Sequence, residues 1–510
     1  MLLSDALARV AREQPDDEAV TFGDLRLTWS QWQERVRRLT GAFAAAGIGR
    51  GDRVAVIDRN HVAVLDVILA AGALGAATVV PNWRLKDEEL TYILADCSPR
   101  IVVLGEAFAE REGTIHRATN SIERIVHLDE EYESWIASSE PIDATQETDP
   151  DDTVLVIYTS GTTGPAKGAM FSHRALVANS EAAAIVADTQ PGERILITMP
   201  LFHIGGAGSA LASVLRGVPL TILAEASPAS IVAAIEAGCT RTFLVPATMA
   251  RMLEDGPRSR SALASLSRLA YGGSPCPRPI LDAALAAMPN TDFEQVYGMT
   301  ELCGAVTALT NPAHRDGSRP ERLASAGQII DDVEMRIVDP ATLADVQPGV
   351  VGELWFRTPK RMIGYLGQAE ATAQVIVDGD WVRTGDMGRV DEDGFVFVVD
   401  RIKDLIITGG ENVFSPEVEA VLAGHPSVAE ATVIGVPDPT MGESVMAVVV
   451  AAPGATIDPE ALIAYSREHL AGFKCPRSVV VVDTLPRNAS GKVLKRELRE
   501  QVQGSRSARD

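Results

Sequence analysis

Cysteine, positive charge and long apolar runs are all scarce in this chain, and each shortage removes a class of protein. Only five of 510 residues are cysteine (Cys97, Cys239, Cys276, Cys303 and Cys475), widely scattered and without a Cys-x-x-Cys pair. That excludes a disulfide scaffold and a cysteine zinc site, and leaves free thiols serving as small apolar residues. Lys and Arg number 46 against 69 Asp and Glu, a net charge of −23. With no dense basic block, such a chain repels phosphate backbones and anionic membranes, so nucleic acid is not an expected partner. The most apolar stretch, Val67 to Val80, is shorter than the roughly 20 residues of a membrane span and follows Asp66. It reads as a buried helix passing into a strand, and no integral membrane segment is expected. Residues Met1 to Val10 lack a basic region followed by an apolar run, so no signal peptide is read and a cytoplasmic location is expected.

What is present is ordinary globular usage, 46% hydrophobic and 23% charged with 42 Gly and 29 Pro. At about 150 residues per domain the length suggests about three units, or two with one large. Helix-spaced stripes occur at Leu3, Leu7 and Val10 and at Trp32, Val36, Leu39 and Phe43. Short β-branched runs recur at Val54–Ile57, Ile101–Leu104, Val154–Ile157, Ile195–Thr198, Leu220–Leu223 and Thr242–Val245, most of them flanked by helical patterns. Continuous apolar runs alternating with helices predict parallel strands buried on both faces, so the first ~300 residues read as α/β. From about Ala326 the runs shorten and partly alternate (Val333–Val338, Gly352–Arg357, Phe395–Val399), which predicts an antiparallel unit. Beyond Arg401 mixed α and β return, with Ser415 read as the cap and Pro416 in the first turn of a helix. A domain boundary is placed near Asp400, giving 1–400 and 401–510, and the last ten residues read as a frayed tail.

The chemistry-bearing motifs begin with Tyr158-Thr-Ser-Gly-Thr-Thr-Gly-Pro-Ala-Lys-Gly168, directly after a buried strand and, by its spacing, before a helix opening at Ser172. Glycines let backbone approach a ligand, Thr159, Ser160, Thr162 and Thr163 bring hydroxyl donors, and Lys167 brings a cation. That inventory suits a polyphosphate, although the order is not that of a P-loop. The segment resembles the phosphate-binding signature of the adenylate-forming superfamily, which contains acyl-CoA synthetases, luciferases and the adenylation domains of peptide synthetases. Further motifs follow in that family's order. Tyr297-Gly-Met-Thr-Glu301 offers a flat ring for a base, a hydroxyl for phosphate and a carboxylate for Mg²⁺. Tyr271-Gly-Gly-Ser-Pro275 resembles the loop along the adenine and acyl pocket; Trp381-Val-Arg-Thr-Gly-Asp386 resembles the ribose site. Asp400 to Val413 resembles the hinge, and Pro486-Arg-Asn-Ala-Ser-Gly-Lys-Val493 the C-terminal signature. Pro200 to Gly208 resembles the family's Phe-His motif.

The resemblance implies an AMP-forming acid–thiol ligase, a large N-terminal domain of helix-flanked α/β sheets with a small β-barrel-like subdomain, and a small mobile α+β C-terminal domain. ATP and AMP fall to Thr159, Ser160, Gly161, Thr162, Thr163, Gly164, Lys167, Gly272, Gly273, Ser274, Tyr297, Gly298, Met299, Thr300, Asp386, Arg401 and Lys492. Lys492, Glu301, Thr163 and His203 carry the catalytic roles, with Mg²⁺ on Glu301 and the pivot at Lys403. Gly409, Gly410, Glu411 and Lys474 face CoA. His203, Gly206, Ala207, Gly273, Gly298, Met299, Cys303 and Ala305 wall the acyl pocket, which the small Gly205–Gly208 run suggests is roomy and apolar. ATP, Mg²⁺, CoA and a hydrophobic carboxylic acid are the implied small molecules, with a homodimer among the expectations. Loading of a free-standing carrier protein and a non-catalytic nucleotide-binding relative stay open. An amino-acid substrate is disfavoured, because Ile204 to Ser209 holds no acid to pair with an ammonium.

Overall fold

The computed structural model describes residues 1–144, 147–159, 165–487 and 493–507. They fall into two compact units: residues 1–334 with 356–382, and 335–355 with 383–510. The expected boundary at Asp400 therefore lies inside the second unit, in the strand Val396–Arg401.

The first unit is built on two large sheets. In one, the strands run in the order Gln328–Ile329, Gly304–Leu309, Asp292–Met299, Arg268–Gly272, Arg241–Leu244, Ile195–Ile197, Leu220–Ile222, Glu18–Phe22 and Leu25–Thr28. It is parallel from Asp292–Met299 to Glu18–Phe22 and antiparallel at both edges. The other runs Gly364–Tyr365, Lys167–Ser172, Thr153–Thr159, Ala77–Val79, Arg53–Ile57, Ile101–Gly105 and Arg124–Leu128. Its last five strands are parallel, as continuous β-branched runs buried on both faces require.

The apolar stretch that begins at Val67 belongs to the helix Val62–Gly72, buried along its whole length, followed by the strand Ala77–Val79. Its one charge, Asp66, is fully buried and accepts hydrogen bonds from Trp32 Nε1 (2.8 Å) and Arg35 Nε (2.8 Å). A buried carboxylate persists only with such partners.

Two local expectations are corrected. The phosphate-loop motif does not lead from a strand into a helix: the strands Thr153–Thr159 and Lys167–Ser172 form an antiparallel hairpin, and the helix His173–Glu181 starts after it with Ser172 as cap. Lys-Gly-Ala-Met-Phe-Ser carries no long apolar run, but pairing on both sides makes it a strand. Ser415 is the first residue of its helix, not its cap; its N–H and hydroxyl instead donate to Asp400 Oδ2 at 2.6 and 2.9 Å.

In the second unit, residues 335–338, 352–355, 383–390 and 396–401 form a small sheet, whose last two strands pair antiparallel. A further mixed sheet holds Glu411–Val413, Ile406–Thr408, Gly442–Ala451, Val428–Asp438 and Ser478–Val481. The helix Ser415–Ala423 packs its Val418 and Leu422 into the core on that sheet. All five cysteines are free. Among the described residues no helix is long and apolar enough to cross a membrane.

Candidate active site

In the first unit the hairpin sets the geometry. Thr159 and Lys167 pair across it in register, at the two ends of the Ser160–Gly164 segment. Ser160, Gly161, Thr162, Thr163 and Gly164 lie outside the described residues. Lys167 places its ammonium 5.0 Å from the centre of the Tyr365 ring, a cation–π contact. Tyr365 sits on the added strand Gly364–Tyr365, opposite Ala169. Its hydroxyl donates to Glu301 Oε1 at 2.6 Å. Burial and the Glu301 carboxylate raise the Tyr365 phenol far above its ordinary range, so the hydroxyl is the donor.

Glu301 itself is 8% exposed and stands in the short 3-10 turn Thr300–Leu302, just past the strand Asp292–Met299. A nearly buried carboxylate with one phenolic partner and no cation bonded to it among the described residues fits Mg²⁺, which takes one or two carboxylates plus substrate phosphates. Tyr297 packs on Phe356 at 6.2 Å between centroids, which steadies the ring read as a base platform. Gly272 closes the strand Arg268–Gly272, and Gly273 and Ser274 follow it as a partly exposed loop. Behind that loop Tyr271 is buried, its hydroxyl 2.8 Å from His314 Nε2, while His314 Nδ1 lies 2.9 Å from the Thr310 carbonyl.

His203 caps the helix Ile204–Arg216, its Nδ1 accepting the Gly205 N–H at 3.1 Å. Burial lowers its pKa, so the ring is neutral with the proton on Nε2. The argument from small residues for a roomy pocket is corrected at Gly206: a Cβ there would meet the Pro200 carbonyl oxygen at 2.1 Å. Its smallness allows a close backbone approach and leaves no open space. A narrow cleft does run beside it, lined by Ile185, Met199, Gly205, Gly206, Ser209 and Phe243. Ala207 and Cys303 are fully buried in the core, whereas Gly298 is exposed and Met299 and Ala305 are partly so. Burial pushes the Cys303 thiol up to about 12, which makes it inert as a nucleophile.

In the second unit Asp386 lies within the strand Trp381–Val390, not in a turn, directly opposite Arg401. Arg401 Nε is 2.8 Å from Asp386 Oδ1, so the two nucleotide candidates of this unit are joined. Lys403 is exposed in the 3-10 turn Ile402–Asp404. Gly409 and Gly410, at φ +60° and +85°, make a two-residue hairpin turn between Ile406–Thr408 and Glu411–Val413. Their positive φ serves that turn. Lys474 is paired with Glu417 at 2.7 Å. Lys492 lies outside the described residues.

Sequence reasoning missed Tyr365 and Glu353. A tyrosine alone in Gly364-Tyr-Leu-Gly367 was the available signal for the first. For the second it was a carboxylate heading the apolar run Leu354-Trp-Phe356, an inward position with no reason for charge unless paired.

Residues 7–366 match the model of the AMP-binding enzyme family and residues 417–492 that of the AMP-binding enzyme C-terminal domain. The chain belongs to this family and is an AMP-forming ligase, with ATP, Mg²⁺ and CoA as its small molecules. It is 40% identical to a feruloyl-CoA synthase of an Amycolatopsis species over 96% of this chain and 97% of that protein. It is 37% identical to the fatty acid–[acyl-carrier-protein] ligase ScoC of Streptomyces coeruleorubidus over 97% and 95%. Among solved structures, ATP-bound MatB from Rhodopseudomonas palustris matches with a TM-score of 0.89 and 30% identity over 98% of this chain and 99% of that one.

Proposed function

We propose that the chain is an acyl-CoA ligase for a hydrophobic, ring-bearing or long-chain monocarboxylic acid. The observation that carries this is the buried Glu301 carboxylate, hydrogen-bonded by Tyr365 beside the phosphate-loop lysine. In the first step a carboxylate oxygen of the acid attacks the α-phosphorus of ATP, and pyrophosphate leaves with the electron pair. Negative charge gathers on that phosphate, where positioned cations supply the largest catalytic term. Glu301 holds the metal, Thr163 and Thr300 donate hydroxyls, and Lys492 bridges acid and phosphate as an ammonium. Asp386 accepts from the ribose hydroxyls, steadied by Arg401.

In the second step the CoA sulfur attacks the acyl carbonyl and AMP leaves. This requires Lys492 to withdraw, so we assign the lid to residues 401–510, the pivot to Lys403, and the thiol-facing surface to Gly409, Gly410, Glu411 and Lys474. His203, Gly206, Gly273, Gly298, Met299 and Ala305 wall the acid, with Ala207 and Cys303 behind them. Similarity to a feruloyl-CoA synthase and to indoleacetate–CoA ligase supports an aryl acid. A second reading, transfer to a free-standing acyl carrier protein, is supported by the 37% identity to ScoC.

ATP–pyrophosphate exchange across aryl, alicyclic and fatty acids, with CoA or a carrier protein then added, tests all of this. The expected result is exchange with hydrophobic acids and thioester formation only with CoA. Exchange confined to amino acids or acetate would overturn the acid class; thioester on the carrier alone would select the second reading.

A further inference from the structure

We propose that Tyr365 is a positioning residue that fixes the magnesium carboxylate and the phosphate-loop lysine in one rigid arrangement. The inference rests on Glu301 as the metal ligand and adds a residue that the sequence motifs did not supply.

Three observations point to it. Tyr365 is the one side chain hydrogen-bonded to Glu301 among the described residues, at 2.6 Å, and it engages Oε1 alone. The same ring, 6% exposed, carries the Lys167 ammonium at 5.0 Å. The backbone around it is tied to both partners: Met362 N–H donates to the Glu301 carbonyl at 2.9 Å, Ile363 N–H to Met170 at 2.8 Å and Leu366 N–H to Gly168 at 2.8 Å. Residues 362–366 are therefore a strap joining the Glu301 turn to the far strand of the phosphate hairpin, with Tyr365 facing both.

An outer hydrogen bond of this kind fixes which way a ligand oxygen points, and its removal typically lowers metal affinity 10–100-fold. With Oε1 held by the phenol, Oε2 is presented at a set angle. Without it, the carboxylate rotates and the metal must pay its ordering. The aromatic face acts separately, by keeping Lys167 beside the hairpin mouth where phosphate oxygens arrive.

The two roles separate by substitution. Calorimetric titration of ATP into the full chain, over a series of MgCl₂ concentrations and with no acid present, reads the metal directly, without turnover. Tyr365→Phe keeps the ring and loses the hydroxyl, so the Mg²⁺ concentration for half-maximal tightening of ATP should rise about tenfold or more, with Mg²⁺-free ATP affinity unchanged. Tyr365→Leu should weaken Mg²⁺-free ATP binding as well. A Tyr365→Phe protein whose magnesium dependence equals or exceeds the wild type in affinity would overturn the proposal. Glu301→Gln is the control: if it leaves the magnesium dependence intact, the metal assignment fails and not the role of Tyr365 alone.

Discussion

Lys360 carries an ammonium into a position 2% exposed, where it donates to the Ala305 carbonyl and meets no carboxylate among the described residues. Burial lowers its pKa from 10.5 to about 8. The charged form is the one the fold disfavours, so below pH 8 the folded protein bears that cost. As pH rises from about 8 toward 10.5, the unfolded chain binds more protons than the folded one and stability gains. The shift corresponds to roughly 3 kcal/mol. Lys360→Met should therefore gain relative to wild type at pH 7, offset by the donor lost to Ala305. The difference between the two proteins should move by roughly 2 kcal/mol against the variant between pH 7 and 9.5. Urea midpoints at both pH values check this; a difference independent of pH would show that Lys360 is not buried as a cation. Nothing in the sequence marked Lys360, because a lysine beside Arg361 reads as solvated surface.

At the scale of elements, the strand Gly352–Arg357 does more than fill its small sheet. Glu353, 1% exposed, accepts the Gly385 N–H at 3.1 Å with Oε1 and the Arg383 guanidinium at 2.9 Å with Oε2. Thr384 Oγ1 donates to the Leu354 carbonyl at 2.7 Å and accepts the Asp386 N–H at 3.0 Å. Gly385, at φ +68°, is thus clamped just before Asp386, the carboxylate proposed for the ribose. Glu353→Ala should raise KM for ATP roughly tenfold, about the value of one charge-assisted hydrogen bond, and shrink the preference for ATP over 2′-deoxy-ATP. A raised KM with the deoxy preference intact would mean that the clamp does not aim Asp386.

Elements were legible in proportion to how local their cause is. The stripes of Leu3–Glu13 and Trp29–Ala45 and the β-branched runs of the parallel strands appeared where periodicity placed them. Lys167–Ser172 did not, because its strand state comes from pairing across the hairpin with Thr153–Thr159 and, on its other side, with Gly364–Tyr365, which is distant in sequence. The same holds at the site. Glu301, Asp386 and Arg401 stood in motifs, whereas Tyr365 and Glu353 act through partners 64 and 32 residues away.

At the scale of the whole molecule, the nucleotide assignments are divided: Lys167, Tyr297 and Glu301 belong to one compact unit, Asp386 and Arg401 to the other. The two half-reactions call for different groups at the α-phosphate, and the one that bridges acid and phosphate belongs to the first step only. Lys492 is the residue assigned that task. Adenylation needs a cation between two anions; thiol attack on the acyl-adenylate is impeded by anything left there. Lys492→Ala should therefore slow formation of acyl-adenylate from ATP and acid by roughly 10²-fold or more, several kcal/mol of barrier. Conversion of presynthesised acyl-adenylate and CoA to thioester should be far less affected. Single-turnover measurements of the two half-reactions separate the cases: an equal loss in both would place Lys492 in general architecture, and the division of labour between the two steps would have to rest on another group.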